Sequence, residues 1–428
     1  MTSMVVYLPF EDAVILQAVR NCLVASAAPS VRRFFNRTGT VIHSNLGHAP
    51  IVGFAADAMR DVALVPSNLK YDLASGRRGD RDSHIEDLMR DLTGALAATT
   101  VNNNAATVLM LLSVLARRKE VPVSHDELIK IGGSCRILEI VASAGYKLVE
   151  VGTTNSTQAS GFKAAIGSKM FLIMKVHMAN YRINGFVAYL DERELAAIPH
   201  AHDLPFVIDL DSGMLSDFTA FRLPHEPTPQ EALTNGADLI AFSAEKMPRG
   251  PQAGMICGRD DRIRKFKKHP MKRALRLDKV TFAGLMATLQ FYRDLDRLAA
   301  RVPVLRMIIC SINDIRTKTG RMLPAFIKYL DGAASMITQD CFSQISSGSL
   351  PVDRLPSAAL AITPIVGRRG QCKAAERLAD SFRILPLPVI GRLSDGTLLF
   401  DVSCLDKEDE PTSLGQLDGK AGAGASYP

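Results

Sequence analysis

The 428-residue chain has no run long and apolar enough to cross a bilayer. Its apolar opening is interrupted by Glu11, Asp12 and Arg20, and the later run Ala105–Ala116 is too short to span. A basic stretch followed by an apolar core and a small-residue cleavage site is also missing, so no secretory signal is expected. Together these absences predict a cytoplasmic protein with no membrane partner. The seven cysteines form no CxxC pair and are odd in number, which excludes a disulfide framework and leaves no metal site in prospect. Buried, reduced thiols are expected. No internal repeat is visible.

What is present suits a large globular enzyme. With 47% apolar residues over this length, the chain can bury the cores of two domains. Between Ala97 and Ser243, short apolar runs alternate with helical stretches. Strands are predicted at Ala97–Val101, Val121–Ser124, Lys147–Val151, Met170–Val176, Pro205–Leu210 and Leu239–Ser243, and helices at Ala105–Ala116 and Asp191–Ile198. That order implies an α/β fold with a mainly parallel sheet covered on both faces. From about Lys279 the pattern changes to helices at Val280–Arg293 and at Ile312–Leu323, the second stopping or kinking at Pro324. A strand at Ser357–Ile362 and a hairpin around Ser394-Asp395-Gly396 complete a smaller C-terminal α+β domain. The divisions expected are an N-terminal segment 1–37, a large domain 38–300, a small domain 301–405 and a disordered tail 406–428.

The net charge is +7, and much of the excess lies between Arg259 and Lys279, with a second knot at Arg77, Arg78 and Arg81. Such clusters suit a polyanion or a phosphate-bearing substrate; a solvated basic face is the other reading. Two strand ends carry the chemistry. Phe206-Val207-Ile208-Asp209 is an apolar strand ending in an acid, and a buried acid needs a cationic partner such as a pyridinium. Leu239–Ser243 is followed by Ala244-Glu245-Lys246, then by the small residues Gly250, Ala253 and Gly254, which let backbone approach a ligand. Ser243 precedes the lysine by three residues and offers a hydroxyl to a phosphate. Asn102, Asn103 and Asn104 join a strand to a helix N-terminus, a second phosphate cradle. A Schiff-base lysine, an acid for the ring nitrogen and donors for a phosphate are the protein groups that pyridoxal phosphate requires. In open parallel sheets such groups gather at the carboxyl ends of strands.

At these residues the sequence resembles bacterial selenocysteine synthase, the L-seryl-tRNA(Sec) selenium transferase family. The likeness runs from about Ala28 to about Asp406. It is carried by APSVRRFFNRTGTVIHSNLG (28–47), SNLKYDLASGRRGDR (67–81), VNNNAATVL (101–109), LVEVGTTN (148–155), GPQAG (250–254), KKHPMKRALRLDK (267–279) and LPVIGRLSDGTLLFDV (387–402). The resemblance implies the aminotransferase-type, fold type I architecture and pyridoxal phosphate as cofactor. It implies conversion of seryl-tRNA(Sec) to selenocysteinyl-tRNA(Sec) through an aminoacrylyl intermediate, with selenophosphate as the selenium donor, in a dimer-based homo-oligomer. It also assigns roles: Lys246 as the Schiff-base lysine, Asp209 facing the pyridine nitrogen, Asn102–Ala106 as the phosphate loop, and Arg78, Arg273 and Arg276 as receivers of the selenium donor.

Departures from the family pattern are Glu245 for Asp, Pro248-Arg249 for Leu-Gly, His48, His125 and Ser156 for Arg, Met178-Ala179 for Thr-Ser, and Asp211 for a glycine. Only about 27 residues precede the matching region, where the family carries a tRNA-recognising helical domain. Two alternatives therefore stand beside the transferase. One is a related lyase acting on a small phosphorylated amino acid or amino sugar; the other is a catalytically impaired RNA-binding paralogue. His177, at a strand end, is read either as a satisfied core histidine or as a neighbour of the cofactor, and His125 as a ring that stacks on it.

Overall fold

The computed structural model describes residues 12–115, 120–128, 137–178, 183, 185–217, 219, 223–246, 250–294, 302–346 and 354–418. Two sheets organise them. The first contains β5 (Ala97–Val101), β8 (Ile173–Val176), β9 (Phe206–Asp209), β10 (Leu239–Ser243) and β11 (Gly254–Gly258), in the order β5-β11-β10-β9-β8. Strands β8, β9 and β10 run parallel, whereas β11 runs antiparallel to both β10 and β5. Beyond β8, the parallel pair β6 (Glu120–Ser124) and β7 (Lys147–Val151) is joined on by a bridge from Glu120 to Met170. Every residue of β5, β9, β10 and β11 is buried, as near-continuous apolar strands covered by helices on both faces require. The antiparallel strand was not foreseen. Its first residue, Gly254, belongs to the small-residue stretch Gly250–Gly254 read as letting backbone approach a ligand, but packing needs the glycine: a Cβ there would lie 2.2 Å from the Asn103 carbonyl oxygen.

The second sheet has the order β1-β14-β15-β13-β12-β2, built from β1 (Phe35–Arg37), β2 (Thr40–Ile42), β12 (Ala334–Ser346), β13 (Arg354–Pro364), β14 (Val389–Ser394) and β15 (Thr397–Asp401). Its core packs Phe326, Phe382 and Phe400 together with Phe35. The hairpin between β14 and β15 turns through Asp395 and Gly396 at φ of 48° and 73°, the left-handed pair that an Asp-Gly turn supplies.

Three sequence expectations are corrected here. Residues 35–42 were divided between the N-terminal segment and the large domain, yet both of their strands complete the C-terminal sheet, because Phe35 and Ile42 are buried and pair along its two edges. The helix Ile312–Leu330 continues through Pro324. Burial of Met322, Phe326 and Leu330 outweighs the roughly 3 kcal/mol that an internal proline costs. The tail beyond Asp406 includes a helix, Glu410–Asp418, docked by two hydrogen bonds of 2.6 Å from Arg321 to the buried Glu410 and by the buried Leu417. Among the described thiols, Cys257 and Cys404 are buried, but Cys22 and Cys372 are exposed. No helix of the described residues is long and apolar enough to cross a membrane, and they hold no group of three or more His, Cys, Asp or Glu that would bind a metal ion.

Candidate active site

The parallel register brings the carboxyl ends of β8, β9 and β10 together: Val176 pairs with Asp209, and Asp209 with Ala241. Asp209 ends β9 with its side chain inside the protein, 2% exposed. Its Oδ1 accepts hydrogen bonds from Asn104 Nδ2 at 2.9 Å and from the Asp211 backbone amide at 3.1 Å. Burial pushes the Asp209 carboxyl up to about 6, and the nearby Asp211 charge adds to this; the two hydrogen bonds and Lys246 oppose it. The Thr107 hydroxyl holds Asn104 in place, lying 2.6 Å from its carbonyl oxygen and 2.7 Å from its Oδ1.

After Leu210 the chain turns. Asp211 takes φ of 54°, Gly213 takes 62°, and a Cβ on Gly213 would sit 2.4 Å from the Phe242 ring, so glycine is required there. The turn aims Asp211 at the loop that follows β10. That loop is closed by Ala244 N to Ala253 O and Gly250 N to Ala244 O, both 2.8 Å. Lys246 Nζ donates to Asp211 Oδ1 at 2.5 Å, and both side chains are largely buried. Burial raises the neighbouring Glu245, and its carboxylate accepts from the Ala253 amide at 3.4 Å. His48, at φ of 61°, comes close enough that burial first and the Lys246 charge second lower its pKa. His177 follows β8, with Nε2 3.0 Å from the buried Glu226, whose Oε2 also accepts from Ser212 at 3.3 Å.

The predicted cofactor loop divides its work. Asn104 turns inward to Asp209, Asn103 Oδ1 caps the helix by accepting from the Ala106 amide at 2.8 Å, and Asn102 is exposed with its amide bound to Leu275 O at 2.9 Å. Ser243 is buried opposite Gly254, and its amide donates to the Asp211 carbonyl at 3.1 Å. His125 instead pairs with Glu150 at 2.6 Å on the surface.

The predicted arginines meet in a recess of their own. A cavity of about 540 Å³ is lined by Lys70, Arg78, Arg81, Lys272, Arg273 and Arg276, among others, but not by Lys246. Lys70 is lowered chiefly by Arg81, with burial, Arg276, Arg78 and Arg273 adding. Two members of the cluster are already engaged. Lys272 is buried against Asp82 at 2.8 Å, and Arg81 donates to the Leu277 carbonyl. Arg78, Arg273 and Arg276 pair with no carboxylate among the described residues. Arg273 and Arg276 are not on one helical face, since the helix Pro270–Ala274 ends between them; they converge because the chain turns at Leu275. The bond from Asn102 to Leu275 ties this recess to the Asn102–Asn104 loop. Sequence shows Asp211 only as a second acid in place of a glycine; its pairing with Lys246, and the part of Glu226, emerge from the fold. Pro248, Arg249, Ala179 and Cys135 lie outside the described residues.

Comparison with known proteins places these features in one lineage. Residues 34–406 match the family described as SelA, L-seryl-tRNA selenium transferase. Proteins named L-seryl-tRNA(Sec) selenium transferase from Methylocella silvestris and Rhizobium meliloti are 44% and 46% identical, over 96% and 94% of this chain and 87% and 85% of theirs. The one from Edwardsiella ictaluri is 46% identical over 90% of this chain and 83% of its own. A solved structure of D-glucosaminate-6-phosphate ammonia-lyase superposes with a TM-score of 0.63, covering 95% of this chain and 98% of that one; at 14% identity the likeness is one of fold. The architecture is the aminotransferase-type fold of pyridoxal-phosphate enzymes, and the chain belongs to the L-seryl-tRNA selenium transferase family.

Proposed function

We propose that this enzyme converts seryl-tRNA(Sec) to selenocysteinyl-tRNA(Sec) with selenophosphate, using pyridoxal phosphate carried by Lys246. The observation that carries the reading is the buried cluster of Asp209, Asp211 and Lys246 at the strand ends. Two carboxyls share one described ammonium there, so the site suits a second cation such as a protonated pyridine ring. Bound there, pyridoxal phosphate supplies a carbonyl that captures amines and a ring that accepts electrons. Asp209, oriented by Asn104, holds the ring-nitrogen proton. Asn102, Asn103 and Ser243 serve the phosphate. Lys246, once its amine is free, would take the α-proton of the seryl group as the β-hydroxyl leaves as water; the selenium of selenophosphate would then bond to the β-carbon, water would cleave its P–Se bond to release phosphate, and Lys246 would return the α-proton. Arg78, Arg273 and Arg276 receive selenophosphate, because guanidinium groups without a carboxylate partner suit a small tetrahedral anion. A charged tRNA substrate sets the cytoplasm as the compartment. Exposed Val14, Ile15, Leu16, Val19 and Leu23 on the helix Asp12–Ala27 support burial against a second copy in a homo-oligomer. Incubation of the holoenzyme with seryl-tRNA(Sec) and selenophosphate tests the reading: selenocysteinyl-tRNA(Sec) is expected. Loss of the serine hydroxyl without selenium addition would overturn it in favour of a lyase.

A further inference from the structure

The geometry points to Asp211 as a positioning residue for Lys246: its carboxylate holds the free ε-amino group beside Asp209 as an ion pair until that amine is covalently engaged. By the resemblance to the selenium transferase family, Asp211 stands where that pattern has glycine. Its φ of 54° lies in the left-handed region that glycine adopts freely and other residues only at a cost. The turn alone therefore gives no reason for a side chain here.

The side chain is placed with little freedom. The Asp211 amide is fixed to Asp209 Oδ1 at 3.1 Å, and its carbonyl accepts from the Ser243 amide at 3.1 Å. Between these anchors Oδ1 lies 2.5 Å from Lys246 Nζ, with the carboxylate side chain 7% exposed. Among the described residues, other ionisable groups acting on Lys246 include Asp209 at the end of β9, Glu245 in its own loop and His48 in the segment after Gly47. Asp211 is the one of these carboxylates whose oxygen is bonded to Lys246 Nζ: Asp209 Oδ1 is taken up by Asn104 and the Asp211 amide, and Glu245 accepts from the Ala253 amide. An amine attacks a carbonyl through its lone pair, and an ion pair withholds that lone pair. Asp211 thus governs how readily Lys246 reacts.

This inference rests on Lys246 being the cofactor lysine, but its test uses no cofactor. Full-length protein freed of cofactor is labelled with trace acetic anhydride across a pH series, and Lys246 acylation is read by peptide mass spectrometry in the parent, Asp211→Asn and Asp211→Gly. Both replacements accept a left-handed backbone, so the turn survives in each. A carboxylate in contact holds the amine as an ion pair, and removing it frees the lone pair, so at a given pH Lys246 should be acylated about tenfold faster in both variants. Coincident profiles in parent and variants would overturn the proposal. Mapping of reduced cofactor to a different lysine would instead overturn the assignment of Lys246, so the two failures are distinct.

Discussion

Asp209→Asn should make the cofactor-free protein more stable at neutral pH while impairing the loaded enzyme. Burial lifts the folded-state carboxyl from its ordinary 3.8 to about 6. Between those values the folded state binds more protons than the unfolded chain, so stability falls as pH rises through the window and the loss is complete above it. At roughly 1.4 kcal/mol per pKa unit, the charged Asp209 costs about 3 kcal/mol at neutral pH. Asparagine removes that cost and keeps the geometry, because its Oδ1 accepts the same bonds from Asn104 and the Asp211 amide. Urea unfolding of cofactor-free parent and variant at pH 4, 5, 6 and 7.5 measures the effect. The two should agree at the acid end, and the variant should gain up to about 3 kcal/mol at pH 7.5. A variant that is less stable at pH 7.5, or a difference that does not grow with pH, would mean the Asp209 charge is already compensated in the fold. The case for an added cation at this carboxylate would then fail. With cofactor bound the order reverses, since a neutral amide cannot keep a ring nitrogen protonated, and turnover should drop far more than cofactor content.

The other predictions concern single side chains. Lys246→Ala should abolish the visible absorbance of the holoenzyme and all turnover; a retained band would assign the cofactor elsewhere. Arg273→Ala and Arg276→Ala should each block selenium addition while cofactor and seryl-tRNA still bind, with poor rescue by lysine, which lacks the two-pronged donor. If these arginines serve tRNA backbone instead, filter binding will show weaker and more salt-dependent tRNA affinity with selenium transfer intact at saturation. Lys272→Met should destabilise the fold by about 3–5 kcal/mol in guanidinium unfolding, because it strands the fully buried Asp82 without its cation; a change under 1 kcal/mol would show that Asp82 takes its proton or another partner.

Much of this arrangement was legible in the sequence because the large sheet writes its strands as unbroken apolar runs. Asp209 and Lys246 each stand just past such a run, so their convergence follows from parallel pairing alone. Where the sequence misled, long-range partners decided the outcome. The polar segment after Asp406 reads as a tail, and only Arg321, far away in the chain, turns Glu410 into an anchor. Phe35 and Arg37 carry no mark that their neighbours come from β14, nor that Arg37 is buried over the Phe326 and Phe400 rings, where burial lowers its pKa to about 9. Asp211 was visible as a second acid, but its aim at Lys246 depends on a left-handed turn that composition does not dictate. The convergence of Arg78 with Arg273 and Arg276 came from the resemblance, and no local pattern links the short hairpin of β3 (Tyr71–Asp72) and β4 (Arg77–Arg78) to the segment after Lys272.

The most direct measurement is borohydride reduction of the purified holoenzyme, followed by proteolysis and mapping of the peptide that retains the cofactor mass. A single modified peptide containing Lys246, lost in Lys246→Ala, is the expected result. Modification of any other lysine, or no bound pyridoxal phosphate after reconstitution, would contradict the placement of the active site at the ends of β9 and β10.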